Sequence, residues 1–516
     1  MEKQKSSGKQ MSINIIASLV SFGVTMGINF FLTPYLVRSL GTEAYGFIGL
    51  ANNFVQYATI ITSALNSMSG RFISIAYHRG DKDKASRIFS SVLVADLIIA
   101  AIMLVATSII TVYIDSILNV PEHLVGSVKI TFAITFLTFV ISVITAIFTT
   151  ATYVKNRIDI NSIRDIASNL LKVTIVVALF AFLPAKLYYL ATATLASGIF
   201  LLLTNITVKK KILPDVKINF SFGLVKTLIA AGIWMSLAQL STVLLSGLDL
   251  LICNLTIGAG LMGILSIAKT VPTSFATLIA TLASVFTPHY TILYAKNDIK
   301  GLVNEVQFTS KIVSLILTVP IAGFIVFGIN FYTLWQPTKT HDEIIMIQIL
   351  SVLTCIQYLF TAHTQCLTML NSVCNKMKIP VLMALGIGLF STMTVLVIVW
   401  FFNVGDNAIY VIAGVSSLLM SLRAIIFIPI YSAWLLKQKK TIFYPSILRG
   451  WLAFAVCTAL FYVVSLFVSI HSWASLILIC VPLGIIGYII CIPLLFNENE
   501  TSKLTSKIKN KLSKAK

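Results

Sequence analysis

The sequence is poor in charge. Asp, Glu, Lys and Arg make up 11% of its 516 residues, where a soluble domain carries roughly 25%. A chain with so few charges was not built for water. Acid is scarcer than base, with 18 Asp and Glu against 38 Lys and Arg. No Cys-x-x-Cys pair occurs. The seven cysteines are Cys253, Cys355, Cys366, Cys374, Cys457, Cys480 and Cys491. Most fall inside apolar runs, so neither a disulfide framework nor a zinc site is indicated. There is no Gly-rich phosphate loop, no Ser/His/Asp set and no His-Glu-x-x-His helix, and the chemistries those motifs carry have no seat here. No sizeable soluble segment could house an ATPase. No basic domain with interleaved aromatics could read bases, so the net charge of +20 does not indicate nucleic acid.

What the chain has is apolar length. Hydrophobic residues make up 57% of it, and the mean hydropathy is +0.93. Runs of about 20 apolar residues recur throughout, each long enough to cross a bilayer. Window reading predicts an all-α integral membrane protein of about fourteen spans. They lie near 13–37, 43–67, 88–113, 125–153, 165–183, 187–208, 224–248, 259–285, 306–329, 344–372, 380–402, 408–436, 447–469 and 474–496. The first run is too long for a signal-peptide core and lacks a clean small-x-small site, so it is expected to be retained.

Loop charge gives the orientation. Alternate loops carry Arg71, Arg79, Lys82, Lys84 and Arg87; Lys155, Arg157 and Arg164; Lys209, Lys210, Lys211 and Lys217; Lys296 and Lys300; Lys376 and Lys378; Lys437, Lys439 and Lys440. The opposite loops hold little beyond Arg38, Lys186 and Lys339. The positive-inside rule then places both termini in the cytoplasm. The polar head bears Lys3, Lys5 and Lys9, and the tail from Thr501 bears six lysines. In that tail Leu504, Ile508 and Leu512 recur every four residues, which suits a basic helix on anionic lipid as well as it suits a solvated tail. The longest outer loop holds His341, Asp342 and Glu343, read as a solvated turn rather than a metal site.

The chain repeats itself. Leu40 to Phe54, LGTEAYGFIGLANNF, returns as Ile257 to Val271, IGAGLMGILSIAKTV. Gly258 follows Gly41, and Gly263 follows Gly46, by 217 residues. The same offset sets Lys296 against Arg79 and Asp298 against Asp81. Each copy reads as an apolar helix, a glycine turn, a second helix and a charged loop. A repeat of this length decides architecture.

Polar residues line particular helix faces. Asn14, Ser18, Ser21, Thr25 and Asn29 share one face of the first span, at about 100° per residue. Asn52, Gln56, Thr59, Ser63 and Asn66 do the same on the second. Ser236, Gln239, Ser246 and Asp249 on the seventh, and Ser266, Lys269, Thr273 and Ser284 on the eighth, echo them. Such stripes serve either as helix–helix glue or as a cavity wall. The cavity reading is preferred because equivalent helices of both repeats carry them. A charge at mid-membrane costs about 2.5–3.5 kcal/mol and normally faces a cavity or a partner. Lys269, Arg423, Lys172 and Asp96 lie within their spans and Asp249 at the outer end of the seventh, with a Lys172–Asp96 pair as the structural alternative. Lys226 and Lys311 read as snorkelling from span ends.

The run TPYLVRSLGTEAYGFIGLA (Thr33 to Ala51), and Asp249 followed by Ile257, Gly258, Gly263 and Ala268, resemble bacterial polysaccharide flippases. That family belongs to a superfamily with multidrug-and-toxin extruders and lipid II flippases. Where the family often has Tyr, this chain has Leu265. The resemblance implies two six-helix lobes, 1–220 and 221–440, around a V-shaped cavity, with two further helices and the basic tail in 441–516. It implies export of an oligosaccharide on a polyprenyl diphosphate by alternating access, in the bacterial cytoplasmic membrane. It calls for no catalytic residue, metal or cofactor, and not for nucleic acid. Polysaccharide polymerase and glycosyltransferases would be the neighbouring proteins. Lys269 and Arg423 would hold the diphosphate, with Asn52, Gln56, Asn29, Thr25, Gln239 and Thr273 lining the path. Asp249 and Asp96 are the candidates for ion coupling. A cation extruder of the same fold is the main alternative, disfavoured by the cationic centre. A polymerase or membrane glycosyltransferase is disfavoured by the short loops.

Overall fold

In the computed structural model, residues 2–217, 222–402, 404–498 and 500–501 are described. The side chains of Lys3, Lys5 and Lys9 and the tail beyond Thr501 lie outside the described residues. The described chain is helical, with no strand among those residues. In order the helices are α1 (Glu2–Leu40), α2 (Thr42–His78), α3 (Lys82–Val112), α4 (Ile114–Ile117), α5 (Val125–Val154), α6 (Ile158–Phe182), α7 (Tyr188–Ile212) and α8 (Phe222–Thr242). Then follow α9 (Asp249–Thr256), α10 (Ala259–Ala295), α11 (Ile299–Trp335), α12 (His341–Val373), α13 (Lys378–Phe401), α14 (Ala408–Leu422), α15 (Ile428–Leu435), α16 (Tyr444–Ser465) and α17 (Trp473–Leu495).

The repeat is written into the helix ends. Helices α2 and α10 are each 37 residues long, and their limits differ by the 217-residue offset at both ends. Each follows a glycine with positive φ, 89° at Gly41 and 130° at Gly258, a conformation that a side chain disfavours. Each is followed by a left-handed residue, Gly80 at φ 84° and Asn297 at φ 57°, which stops the helix. The next helix then starts on an aspartate cap. Asp81 accepts from the Lys84 N–H at 2.9 Å, and Asp298 accepts from the Gly301 N–H at 2.8 Å. Lys84 and Gly301 are again 217 residues apart.

Among the described residues twelve helices are long and apolar enough to cross a membrane. A thirteenth is gained if Leu224–Ala230 and Gly232–Gly247, bent by 47°, count as one span. The expected fourteen are not reached. The span read at 43–67 lies in α2, which is not among the twelve. Its amides and hydroxyls, from Asn52 to Ser69, dilute its apolar character.

Two compact units divide the chain: Met1–Ile267 with Val381–Ile412, and Ala268–Pro380 with Ala413–Lys516. The lobes expected from the repeat follow other boundaries and stay a proposal about the moving bodies. In the first unit α2 packs on α3, α5 and α8, while α6 joins α1 to α7. Helix–helix association in lipid rests on close packing more than on apolar transfer, and glycine permits it. A Cβ on Gly232 would overlap the Ala64 carbonyl of α2. A Cβ on Gly46 would stand 2.8 Å from the Met262 Cε and 2.9 Å from the Gly263 Cα, so two repeat-equivalent glycines meet. Asn119 and Asn254 bind reciprocally: the Asn119 N–H donates to the Asn254 Oδ1 at 2.9 Å, and the Asn254 Nδ2 donates to the Asn119 carbonyl at 3.2 Å.

In the second unit α11 packs on α12, α16 and α17. Its core includes Tyr290, Leu302, Val313, Cys366, Leu370 and Phe443, all buried. Gly450 of α16 lies against the His363 ring. Lys311 does not snorkel. It is buried, and its Nζ lies 2.8 Å from both carboxylate oxygens of Glu500, an ion pair that ties the segment after α17 to α11. A buried cation keeps its charge only beside such a partner.

Candidate functional site

The polar face of α1 is committed largely to α6. Asn14 is buried; its Nδ2 donates to the Asn156 carbonyl at 3.1 Å and its Oδ1 accepts from the Asp159 N–H at 3.1 Å. Thr25 accepts from the Asn169 Nδ2 at 3.1 Å. On this helix the stripe acts as glue, and Asn29 alone of the site candidates there is exposed.

The stripe of α2 is different. Its lower part, Thr59, Ser63 and Asn66, lines a cavity of about 430 Å³ with Ser142 of α5 and Gln239 and Thr242 of α8. None of the lining residues is ionisable. Volumes of this order suit small ligands. The hydroxyl protons are already used along their own helices: Ser63 donates to the Thr59 carbonyl at 2.6 Å, Ser142 to Phe139 at 2.7 Å and Thr242 to Ala238 at 3.1 Å. Their lone pairs remain, so these hydroxyls can only accept. Sugar hydroxyls would serve as the donors.

Asn52 and Gln56, further along α2, are exposed. Beside them Asn53 and Tyr57 turn to the Gly247 carbonyl, donating from Nδ2 at 2.9 Å and from the phenol at 2.6 Å. That carbonyl lies in a π-helical turn, Val243–Gly247, and such a turn shifts the usual bonding ladder. Asp249, buried, begins the helix that follows. Asp96 of α3 is fully buried behind Asn66, whose Nδ2 donates to its Oδ1 at 3.2 Å. The Lys172–Asp96 alternative is not made among the described residues.

In the second unit Lys269 is half-buried and Thr273 exposed. They begin a hydroxyl stripe on α10: Thr273 donates to the Lys269 carbonyl, Thr277 to Thr273 and Thr281 to Thr277, at 2.9, 2.9 and 2.8 Å. Phe275, Ile279 and Ala283 lie in the core from the same helix. Arg423 opens a second π-helical turn, Arg423–Phe427. It is half-buried, and its Nε is buried without an acceptor, a group that an anion would satisfy. The sequence candidates thus fall into two sets. Thr25, Asn29, Asn52, Gln56, Asp96, Gln239 and Asp249 belong to the first unit, and Lys269, Thr273 and Arg423 to the second.

Sequence reasoning passed over Ser142, Asn53 and Tyr57. Asn53 and Tyr57 stand four apart beside the stripe, and that spacing was the available signal. Ser142, alone between apolar neighbours, offered none. At the start of α12, Glu343 closes a capping box with Thr340 and lies 2.8 Å from the Lys339 Nζ.

The family model for polysaccharide biosynthesis proteins matches residues 12–293. The chain belongs to this family. A relative in this size range is the uncharacterized membrane protein EpsK of Bacillus subtilis (strain 168), 29% identical over 482 residues, 91% of this chain and 92% of that one. Two solved structures share the fold. The inward-facing multidrug resistance MATE transporter of the MOP superfamily has a TM-score of 0.65 at 14% identity, over 82% of this chain and 99% of that one. The lipid II flippase MurJ, in an inward closed conformation, has a TM-score of 0.65 at 15% identity, over 92% of this chain and 97% of that one. This member of the polysaccharide biosynthesis family is therefore a multi-pass membrane protein with the MATE- and MurJ-like transporter fold.

Proposed function

We propose that the protein flips a polyprenyl-diphosphate-linked oligosaccharide across the bacterial cytoplasmic membrane by alternating access, for surface polysaccharide synthesis. The observation that carries this reading is the cavity beside α2, walled by acceptor hydroxyls and amides and by no ionisable side chain. Such a wall suits neutral sugar. Lys269 and Arg423 would hold the diphosphate, with charge-assisted bonds that a buried phosphate needs. Asn29, Asn52, Gln56, Gln239 and Thr273 would offer amide and hydroxyl contacts along the path, and Thr25 would act through Asn169. The lipid tail would stay in the bilayer. The lobes of the repeat would be the rocking bodies. Polymerase and glycosyltransferases would work on either side of this step. The reading needs no catalytic residue and no cofactor.

The cation-extruder alternative shares the fold. It requires acid facing the substrate, and Asp96 is instead sealed behind Asn66. The test is reconstitution in proteoliposomes with a fluorescent polyprenyl-diphosphate oligosaccharide and, separately, with ethidium. The lipid-linked sugar is expected to become accessible to an impermeant quencher faster than in protein-free vesicles. Ethidium movement without lipid movement would establish the extruder.

Orientation follows from loop charge. A cysteine at Lys339 is expected to react with an impermeant thiol reagent in intact cells, and cysteines at Lys82, Lys210 and Lys300 only after permeabilisation. The reverse pattern would invert the topology.

A further inference from the structure

Asp96 stands out among the buried ionisable groups. It is 0% exposed. Its Oδ1 accepts from the Asn66 Nδ2 at 3.2 Å, while its Oδ2 is buried and without a donor. Its partner has the complementary defect, because the Asn66 Oδ1 is also buried and without a donor. Two neighbouring residues, already joined by one hydrogen bond, thus carry two unsatisfied acceptors. One proton resolves both. Placed on the Asp96 Oδ2, it would be available to the Asn66 Oδ1 and so could close a reciprocal acid–amide ring.

No cation substitutes for that proton. The elements packed on α3 are α2, α4, α5 and α8. Between Tyr57 and Arg71, α2 has no ionisable residue; between Lys129 and Tyr153, α5 has none; α8 has only Lys226, which is exposed; and α4 has Asp115. Lys129 is paired with Asp115 at 2.9 Å. Arg87 is nine residues from Asp96 along α3 itself. None forms an ion pair with Asp96 among the described residues. An ionised carboxylate left so deep without a counter-charge is strongly disfavoured. Yet the site is one residue from polar space, because Asn66 also lines the cavity.

We propose that Asp96 is a proton-carrying site coupled to transport, neutral and paired with Asn66 in this conformation. A proton enters from the cavity onto the Asp96 Oδ2. When the lobes rock and the cavity lined by Asn66 widens, water reaches the carboxyl, the ring opens and the same proton is released. The neutral state rests on the pair alone; its link to transport rests on the flippase reading above.

The two halves are tested separately. Infrared difference spectra of the full-length purified protein, wild type minus Asp96→Asn, are expected to show the carbonyl band of a protonated carboxylic acid at neutral pH. Absence of that band overturns the protonated pair, whatever the protein transports. Asn66→Leu, measured in the same way against its own Asp96→Asn double variant, should keep the band and move it to higher frequency, as for an acid that has lost its ring partner. An unmoved band overturns the pairing, and the direct difference spectrum, wild type minus Asn66→Leu, shows the same shift if Asp96→Asn does not fold. In cells, Asp96→Asn should accumulate normally and lose surface polysaccharide export, because an amide cannot release the proton. Export at the wild-type rate overturns the coupling role and leaves the spectroscopic result standing.

Discussion

Lys269→Leu is expected to abolish export while the protein still inserts and accumulates. Lys269 lies at the head of the hydroxyl stripe of α10, opposite the side chains that enter the core. Its repeat equivalent, 217 residues earlier, is Asn52, exposed on α2. An ammonium at this depth is kept among polar or anionic groups, and in the proposed transport cycle the diphosphate is one of them. Removing one member of a desolvated charge pair typically costs about 2–5 kcal/mol, a loss of at least about thirtyfold. Lys269→Arg should retain part of the activity, because the charge survives on a wider, flatter group. The measurement is surface polysaccharide per cell at matched membrane protein level. Full activity in Lys269→Leu would remove this residue from the mechanism. Loss of protein together with activity would assign it to packing.

Gly263→Val is expected to destabilise the fold strongly. A Cβ at Gly263 would overlap the Thr42 carbonyl and stand 2.8 Å from the Thr42 Cγ2, while Gly46 approaches from the facing helix. A backbone carbonyl cannot rotate out of the way as a side chain can. The start of α10 would have to move off α2, and forced overpacking costs about 1–3 kcal/mol or more. The thermal midpoint of the purified variant should fall well below wild type, and Gly263→Ala should fall between them. Gly260→Ala is the control, since its Cβ would meet only the Glu43 Oε1 at 3.8 Å. Equal midpoints for Gly263→Val and Gly260→Ala would show that the contact is not what holds these helices together.

The repeat was legible because it rests on local chemistry. A glycine with positive φ, a left-handed stop and an aspartate cap each act within a few residues, so their spacing in the sequence is their spacing in the fold. Apolar length was legible for the same reason. What could not be read was which partner a polar face meets. Asn14 and Gln56 stand on similar stripes, yet Asn14 is buried against Asn156, 142 residues away, while Gln56 is exposed. The Lys311–Glu500 pair joins residues 189 apart. Helix periodicity says nothing about such separations. The count of fourteen spans is not confirmed at α2, where the polar residues that make the cavity wall also weaken the hydropathy by which a span is recognised. For the same reason Asp96 could be noticed as a buried charge, but not as one half of a pair with Asn66.

Gly46 and Gly263 are the same position of the repeat, and they touch. In an assembly of two identical half-chains this would be a self-contact on the symmetry axis, glycine against its own copy. Any mutation there would strike both faces at once. Joined in a single polypeptide, the two copies are released from that identity. The position held by Asn52 in one copy holds Lys269 in the other. A symmetric ancestor would have carried that lysine twice or not at all. Fusion is what allows one ammonium group to be present in one half and its neutral counterpart in the other.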